Sequence, residues 1–418
     1  MRKNMLCCVG ALVFLAVTNV FAADYHAIID LTNGLGDNYA QDMVMQADGK
    51  ALMAGYYIET KSYQHTMFVM RYASDGALDE SFGEHGVVML AGPTDAKVNI
   101  LQKVGVLSDG KILLVGQRVV DNQSQLLFSR LSDQGVLDRR FGSEGYVVTV
   151  LDSITPNIIG LRVDKDDQFF VTLANKDAIR ILKFKPDGSL NTAFAHDGIL
   201  RSDISGGQGT RAAALALQDD GKLVVVGTSY GDTHKQAFIA RYDALGELDT
   251  SFAGKGYYVY RGSSDNADGF TDVRIQPNGQ LIVSGFSIDQ VSLRTQMLLM
   301  RFAANGSLDM SFGHDGVIQS CFNDGQSDCY GAQLTLKKDD QLLVASSWLD
   351  ATGIFPVLYQ FDARGALDLS YGVRGSKSFA NISNYFSFTA NQLNLDGHDV
   401  VAGYAPINGV NKLVLTSQ

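Results

Sequence analysis

Short apolar runs separated by turn signals follow one another along the chain and recur as a unit of about 57 residues, seven times over. The second unit shows the pattern plainly. Val104 to Leu107 is apolar, and Ser108-Asp109-Gly110 is a turn in which Gly can take a positive φ. Lys111 to Gly116, Gln125 to Leu131 and Gly145 to Val150 then read as three further strands. No segment keeps a helical period. The pattern predicts four antiparallel strands per unit and an all-β chain.

The second strand is apolar without alternation in most units, as in Leu223 to Val226, Leu281 to Val283 and Leu342 to Ala345. A run of that kind is buried on both sheet faces. Sheets covered on both faces by similar sheets form a β-propeller, so the expectation is seven four-stranded blades. An open solenoid would need polar capping repeats, and the end units show none. Gly55, Gly116, Gly227, Gly285 and Gly403 recur at one position of the second strand, where the missing side chain points to close backbone approach.

A second marker, Leu-Asp-x-Ser-Phe-Gly, closes each of the first six units, as in Leu78 to Gly83 and Leu308 to Gly313. Its aromatic residue (Phe82, Phe141, Phe194, Phe252, Phe312, and Tyr371 in the sixth unit) reads as core filling between sheets. Preceded by Arg-Tyr-x-x-x-Gly, the marker resembles the bacterial delta-60 repeat family and is more distantly similar to NHL-type propeller repeats. The resemblance covers residues 24 to 418. It implies the fold and, since that family has no common activity, no chemistry. The third unit departs most, with Asp167 for the turn Gly and Asn191 and Ala195 in the second marker, so a distorted blade is expected there.

The last unit stops after its third strand, Lys412 to Thr416, while His26 to Leu31 looks like a fourth strand. By analogy with NHL propellers, that N-terminal strand completes the last sheet and closes the ring, removing exposed edges.

Apolar content of 46% and charged content of 19% are those of a globular chain. The net charge of −11 disfavours nucleic acid and anionic membrane surfaces. Arg2 and Lys3, the apolar stretch Met5 to Phe21, and Val20-Phe21-Ala22 have the form of a signal peptide cleaved after Ala22. Residues 23–418 are then a single domain, periplasmic or secreted, with no membrane span. An exported chain meets an oxidising compartment, so the two remaining cysteines, Cys321 and Cys329, are expected to be bridged.

Candidate chemistry is sparse. Arg71, Arg130, Arg241 and Arg301 stand eight residues before Asp79, Asp138, Asp249 and Asp309, with Lys183/Asn191 and Gln360/Asp368 in the same positions. These pairs read as a turn clamp repeated in each blade. No His spacing, serine elbow or Cys/His pair marks catalysis. Ser264 to Asp272 has the Asp and Asn content of a calcium loop, but Ile275 holds the position of its bidentate Glu. Neither metal nor cofactor is expected.

Binding is expected on the face carrying the variable loops: Tyr57 to Thr66, Val119 to Ser124, Ser229 to Gln236, Ser287 to Gln296 and Trp348 to Phe355. Asn38, Asn99, Thr210 and Asp268 align where loops reach the axis, and Asp324 and Asp328 lie in or beside the Cys321–Cys329 loop. These six are the candidate binding residues. Tyr57, Tyr230 and Trp348 would suit sugars. The function expected is a monomeric binding or scaffold protein holding a protein or glycan. The alternative is an extracellular hydrolase or lyase with a polar site at the axial funnel.

Overall fold

The Asp-Gly-Lys turns close hairpins because Gly49, Gly110 and Gly221 take φ of +84°, +80° and +83°, open to a residue without Cβ. In the third unit Asp167 occupies that conformation at φ +58°. Its carboxylate accepts hydrogen bonds from the backbone N and the hydroxyl of Ser108 in the preceding unit, both at 2.7 Å. The non-Gly turn therefore gains a contact between units. That unit is the distorted one, with its first three strands, Ile158–Val163, Phe169–Leu173 and Ile179–Phe184, shorter than those of the other blades.

In the computed structural model, the residues described are 25–151, 155–231, 234–262, 267–289, 291–322, 327–350, 353–379, 387–393 and 399–417. The expected signal peptide lies outside them. The described residues form seven four-stranded antiparallel sheets, and six of these are contiguous in sequence. Blades 1 to 6 comprise residues 36–90, 98–149, 158–202, 210–260, 269–320 and 328–378. Blade 7 combines Ser387–Leu393, Asp399–Ile407 and Val410–Ser417 with Tyr25–Ile29 as its outer strand. Tyr25 pairs with Ser417 and Ile29 with Leu413, so main-chain hydrogen bonds between the two ends close the ring. Inner strands of consecutive blades touch, and the seventh touches the first. A seven-bladed β-propeller results. No described helix is long and apolar enough to cross a membrane.

Seven apolar clusters fill the seven spaces between blades. The unbroken apolar second strands follow from this. Ile282 packs toward blade 6, while its neighbours Leu281 and Val283 pack toward blade 4. Each second-marker aromatic is buried in one of the spaces.

Every inner strand carries a β-bulge at the same place, between residues such as Ala40 and Asp42, Leu101 and Lys103, and Phe270 and Asp272. The bulge drives a carbonyl onto the second strand. A Cβ on Gly55, Gly116 or Gly285 would lie 2.0 Å from the carbonyl oxygen of Tyr39, Ile100 or Gly269. The recurrent strand glycine is therefore the complement of the bulge. In blade 6, Ser346 replaces it and donates its hydroxyl to the carbonyl of Tyr330 at 2.7 Å.

Candidate functional site

The two faces of the disc are built differently. On the face of the repeated turns, Arg241 donates through Nε to Asp249 Oδ2 at 2.8 Å and through Nη1 to the carbonyl of Ala304, in the next blade, at 2.6 Å. Arg301 does the same with Asp309 (2.7 Å) and the carbonyl of Ala363 (2.5 Å). Arg71 joins Asp79 (2.8 Å) to the carbonyl of Asp133, and Arg130 joins Asp138 (3.1 Å) to the carbonyl of Pro186 (3.1 Å). Each pair lies eight residues apart in its own turn, and each Arg also staples the following blade. The guanidinium lies over the marker Phe, 4.6 Å from the ring centre for Arg71 on Phe82. The following blade's turn glycine meets the same ring. A Cβ on Gly135 would come within 2.9 Å of Phe82.

Blade 7 receives its outer strand from the other end of the chain, so it has no such turn to staple. Blade 6 accordingly carries Gln360 and Tyr371 in place of Arg and Phe. Gln360 bonds Asp368 at 2.7 Å, and Tyr371 donates to the buried Asp399 of blade 7 at 2.6 Å. Lys337 pairs with Asp399 at 3.2 Å.

Burial pushes the Asp79 and Asp309 carboxyls up. Hydrogen bonds from the Ser two residues on, from Lys50 in the case of Asp79, and the partner Arg charge outweigh it and hold both below their ordinary value. Asp249 is held low chiefly by Ser251.

At the opposite face, Asn38, Asn99, Thr210 and Asp268 are all buried. Each ties its inner strand to the loop arriving from the preceding outer strand. Asn38 Oδ1 accepts from Leu31 N at 3.1 Å, and Asn99 Nδ2 donates to the carbonyl of Ala91 at 3.2 Å. Thr210 Oγ1 accepts from Ile204 N at 3.2 Å, and Asp268 Oδ2 accepts from Gly262 N at 2.8 Å. Burial raises the Asp268 carboxyl. By strand register the same position in blade 6 is Cys329, since Tyr330 and Gly331 face Ser347 and Ser346 as Tyr39 and Ala40 face Tyr56 and Gly55. Cys329 is disulfide-bonded to Cys321, at a Cα–Cα distance of 5.6 Å, just after the outer strand of blade 5. The disulfide is thus the covalent form of a latch that four other blades make with hydrogen bonds. Asp328 Oδ1 accepts from Thr295 N at 2.7 Å, while Asp324 lies outside the described residues.

The inner strands surround an axial lumen of about 1470 Å³. Its wall includes Asp42, Lys103, Arg162, Thr271, Asp272, Arg274 and Gln333, set among Val104, Leu161, Leu215, Val273 and other apolar side chains, with further charged residues toward the turn face. Asp42 and Asp272 follow the bulges of blades 1 and 5 and accept the backbone N of Val104 (3.1 Å) and Leu334 (2.8 Å) in the next blades. Arg274 donates to Asp272 Oδ1 at 2.7 Å. Lys103 lies 3.8 Å from Asp42. Arg162 donates to the carbonyl of Leu161 at 2.8 Å.

None of these lumen residues stands out from sequence reasoning. The inner strands begin earlier than their apolar runs imply. That of blade 2 starts at Val98 and not Val104, because Asn99, Gln102 and Lys103 interrupt its hydrophobicity. Those polar interruptions just upstream of the Asp-Gly turn are the signal that finds the lumen wall.

The loop face is tighter than the spacing predicts. The strands of blade 1 run to Glu59 and resume at His65, and those of blade 2 are joined by Asp121-Asn122 alone, at φ +48° and +63°. Tyr63, Val291 and Leu293 stand exposed in these connections at 75%, 93% and 71%. Trp348 is stacked on Phe355 with ring centres 4.1 Å apart, and Tyr57 packs against the cluster between blades 7 and 1. Tyr39, stacked on Tyr56 and edge-on to Tyr404, each at 5.2 Å, adds an aromatic group at the start of the first inner strand.

Four segments of the chain, residues 46–82, 107–141, 218–252 and 276–312, match a family described as a β-propeller domain of unknown function (DUF5122). No curated protein matches the chain. Among solved structures it is similar to a catalytically inactive virginiamycin B lyase from Staphylococcus aureus with quinupristin. The identity is 11% and the TM-score 0.50, over 94% of this chain and 99% of that one. It is also similar to the polysaccharide lyase Uly1, at 11% identity and a TM-score of 0.50, over 90% and 89% of the two chains. At such identities the likeness is one of fold.

Proposed function

We propose that this propeller is an exported binding or scaffold protein of the delta-60 repeat type that holds a protein or glycan partner on its loop face. The observation that carries the reading is the division of labour between the faces. One face spends its repeated polar side chains on stapling blade to blade. The other presents non-repeated exposed groups, Tyr63, Val291 and Leu293, on a scaffold whose loops are latched from within. The test is glycan-array and pull-down profiling of the exported protein beside two variants. Tyr63→Ser/Val291→Ser/Leu293→Ser should lose the captured partner. Val136→Ser/Leu245→Ser/Leu369→Ser, exposed on the turn face, should keep it. The opposite pattern would overturn the reading. An N-terminal mass showing Met1 on exported material would remove the signal peptide from it.

The charged lumen favours a second reading, a hydrolase or lyase with its polar site at the axial funnel. Release of reducing ends or unsaturated products from a panel of extracellular polymers, lost in Lys103→Gln, would establish it. A panel without turnover would leave the binding reading alone.

A further inference from the structure

Among the described residues, Arg162 lines the lumen without an ion-pair partner. Arg162 has five N–H donors, and the hydrogen bond to the carbonyl of Leu161 uses one of them. Among the described residues no carboxylate lies within ion-pair distance of its guanidinium. The two acidic groups that share the wall are committed elsewhere. Asp42 accepts from Val104 N and pairs with Lys103, and Asp272 accepts from Leu334 N and Arg274.

A second guanidinium stands near the first. Arg162 and Arg274 occupy the same register in blades 3 and 5, facing Phe170 and Ile282 on their second strands. Burial first, and then the charge of Arg274, hold the Arg162 guanidinium below its ordinary value, against the opposing pull of the Asp272 and Asp42 carboxylates. At that register the neighbours of Arg162 are Gly105 in blade 2 and Ala216 in blade 4, so neither sends a long side chain into the lumen at that height.

Two guanidinium groups lining one lumen repel each other, and an anion bridging them relieves that repulsion. We infer that Arg162 and Arg274 form an oxyanion-binding site in the axial lumen, for a carboxylate or phosphate group held by forked N–H donors. The turn-face rim carries Asp164, Asp166, Asp219 and Asp220 against Lys165 and Lys183, which repels anions there and directs entry from the loop face. The site stands independently of what the loop face holds.

Titration calorimetry of the intact exported protein tests this, with sodium phosphate and sodium propionate compared with sodium chloride at equal ionic strength. Saturable binding of phosphate, of propionate, or of both is expected, and which of them binds names the class. Arg162→Gln should weaken that binding about tenfold or more. Arg139→Gln, which alters an exposed pair with Glu144, should leave it unchanged. Without added anion, Arg162→Gln should melt no lower than the wild type, because it breaks no ion pair and removes the repulsion with Arg274. No binding beyond that of chloride, equal binding by Arg162→Gln, or a marked fall in its melting temperature would each overturn the site, the last by making Arg162 a structural strut.

Discussion

Arg241 of blade 4 reaches across to the carbonyl of Ala304 in blade 5, 2.6 Å away, while its Nε holds Asp249 in its own turn. The repeated Arg and Asp are therefore parts of a joint between blades. The joint explains why the pattern lapses at Gln360, whose neighbouring blade has no turn carbonyl to receive an Arg.

Asp249→Ala should strand the Arg241 guanidinium and cost about 1–3 kcal/mol of unfolding free energy. Gln360→Arg should bring no comparable gain, since the new side chain finds no carbonyl in blade 7. Urea denaturation of both variants checks the pair. A gain in Gln360→Arg as large as the loss in Asp249→Ala would refute the joint.

The pH dependence follows in sign. The carboxyls of Asp79, Asp138, Asp249 and Asp309 are held below their ordinary value in the folded chain. Their contribution is complete above the unfolded value of about 4 and is lost as pH falls through the lower folded values. Asp268, raised by burial, works in the opposite direction. Melting temperature should hold from about pH 5 upward and fall steeply below about pH 4. Asp309→Asn should start lower at neutral pH and fall less steeply in acid. An unchanged slope would mean that these carboxyls do not govern acid unfolding.

Deleting residues 24–33 removes the strand Tyr25–Ile29 and leaves Val410–Ser417 as an open edge. The truncated protein should melt earlier and aggregate through that edge. Scattering and thermal melts against the full exported chain measure this, and coincident curves would deny the clasp a stabilising part.

Cys321→Ser/Cys329→Ser exchanges the covalent latch of blade 6 for none. The eight-residue separation gives a loss of about 2–3 kcal/mol in the chain-entropy model. Asn38→Ala removes the hydrogen-bonded latch of blade 1 and should cost about 1–3 kcal/mol. If the disulfide also preorganises Asp324 and Asp328 for a partner, the double variant loses partner affinity beyond what its melting shift accounts for. Two free thiols in the unfolded exported protein, by reagent titration, would dispose of the latch.

Fold and closure were legible in the sequence because both rest on local, repeated chemistry. Short apolar strands, turn glycines and a last unit one strand short are properties of neighbouring residues, and seven copies average out the noise of any one. Even the departures at Gln360 and Tyr371 carry information, because they fall where the ring is sewn shut. The roles of single polar residues were a different matter. Asn38 and Asp268 align with the axis in sequence, yet burial and hydrogen bonding commit them to their loops. Arg162 and Arg274 are separated by a whole blade, and only the assembled ring brings both to one lumen. A strand pattern tells which face of a sheet a side chain takes. Whether that face meets a neighbouring blade or the open axis depends on the radius at which the strand sits, and this is decided only when all seven blades are assembled.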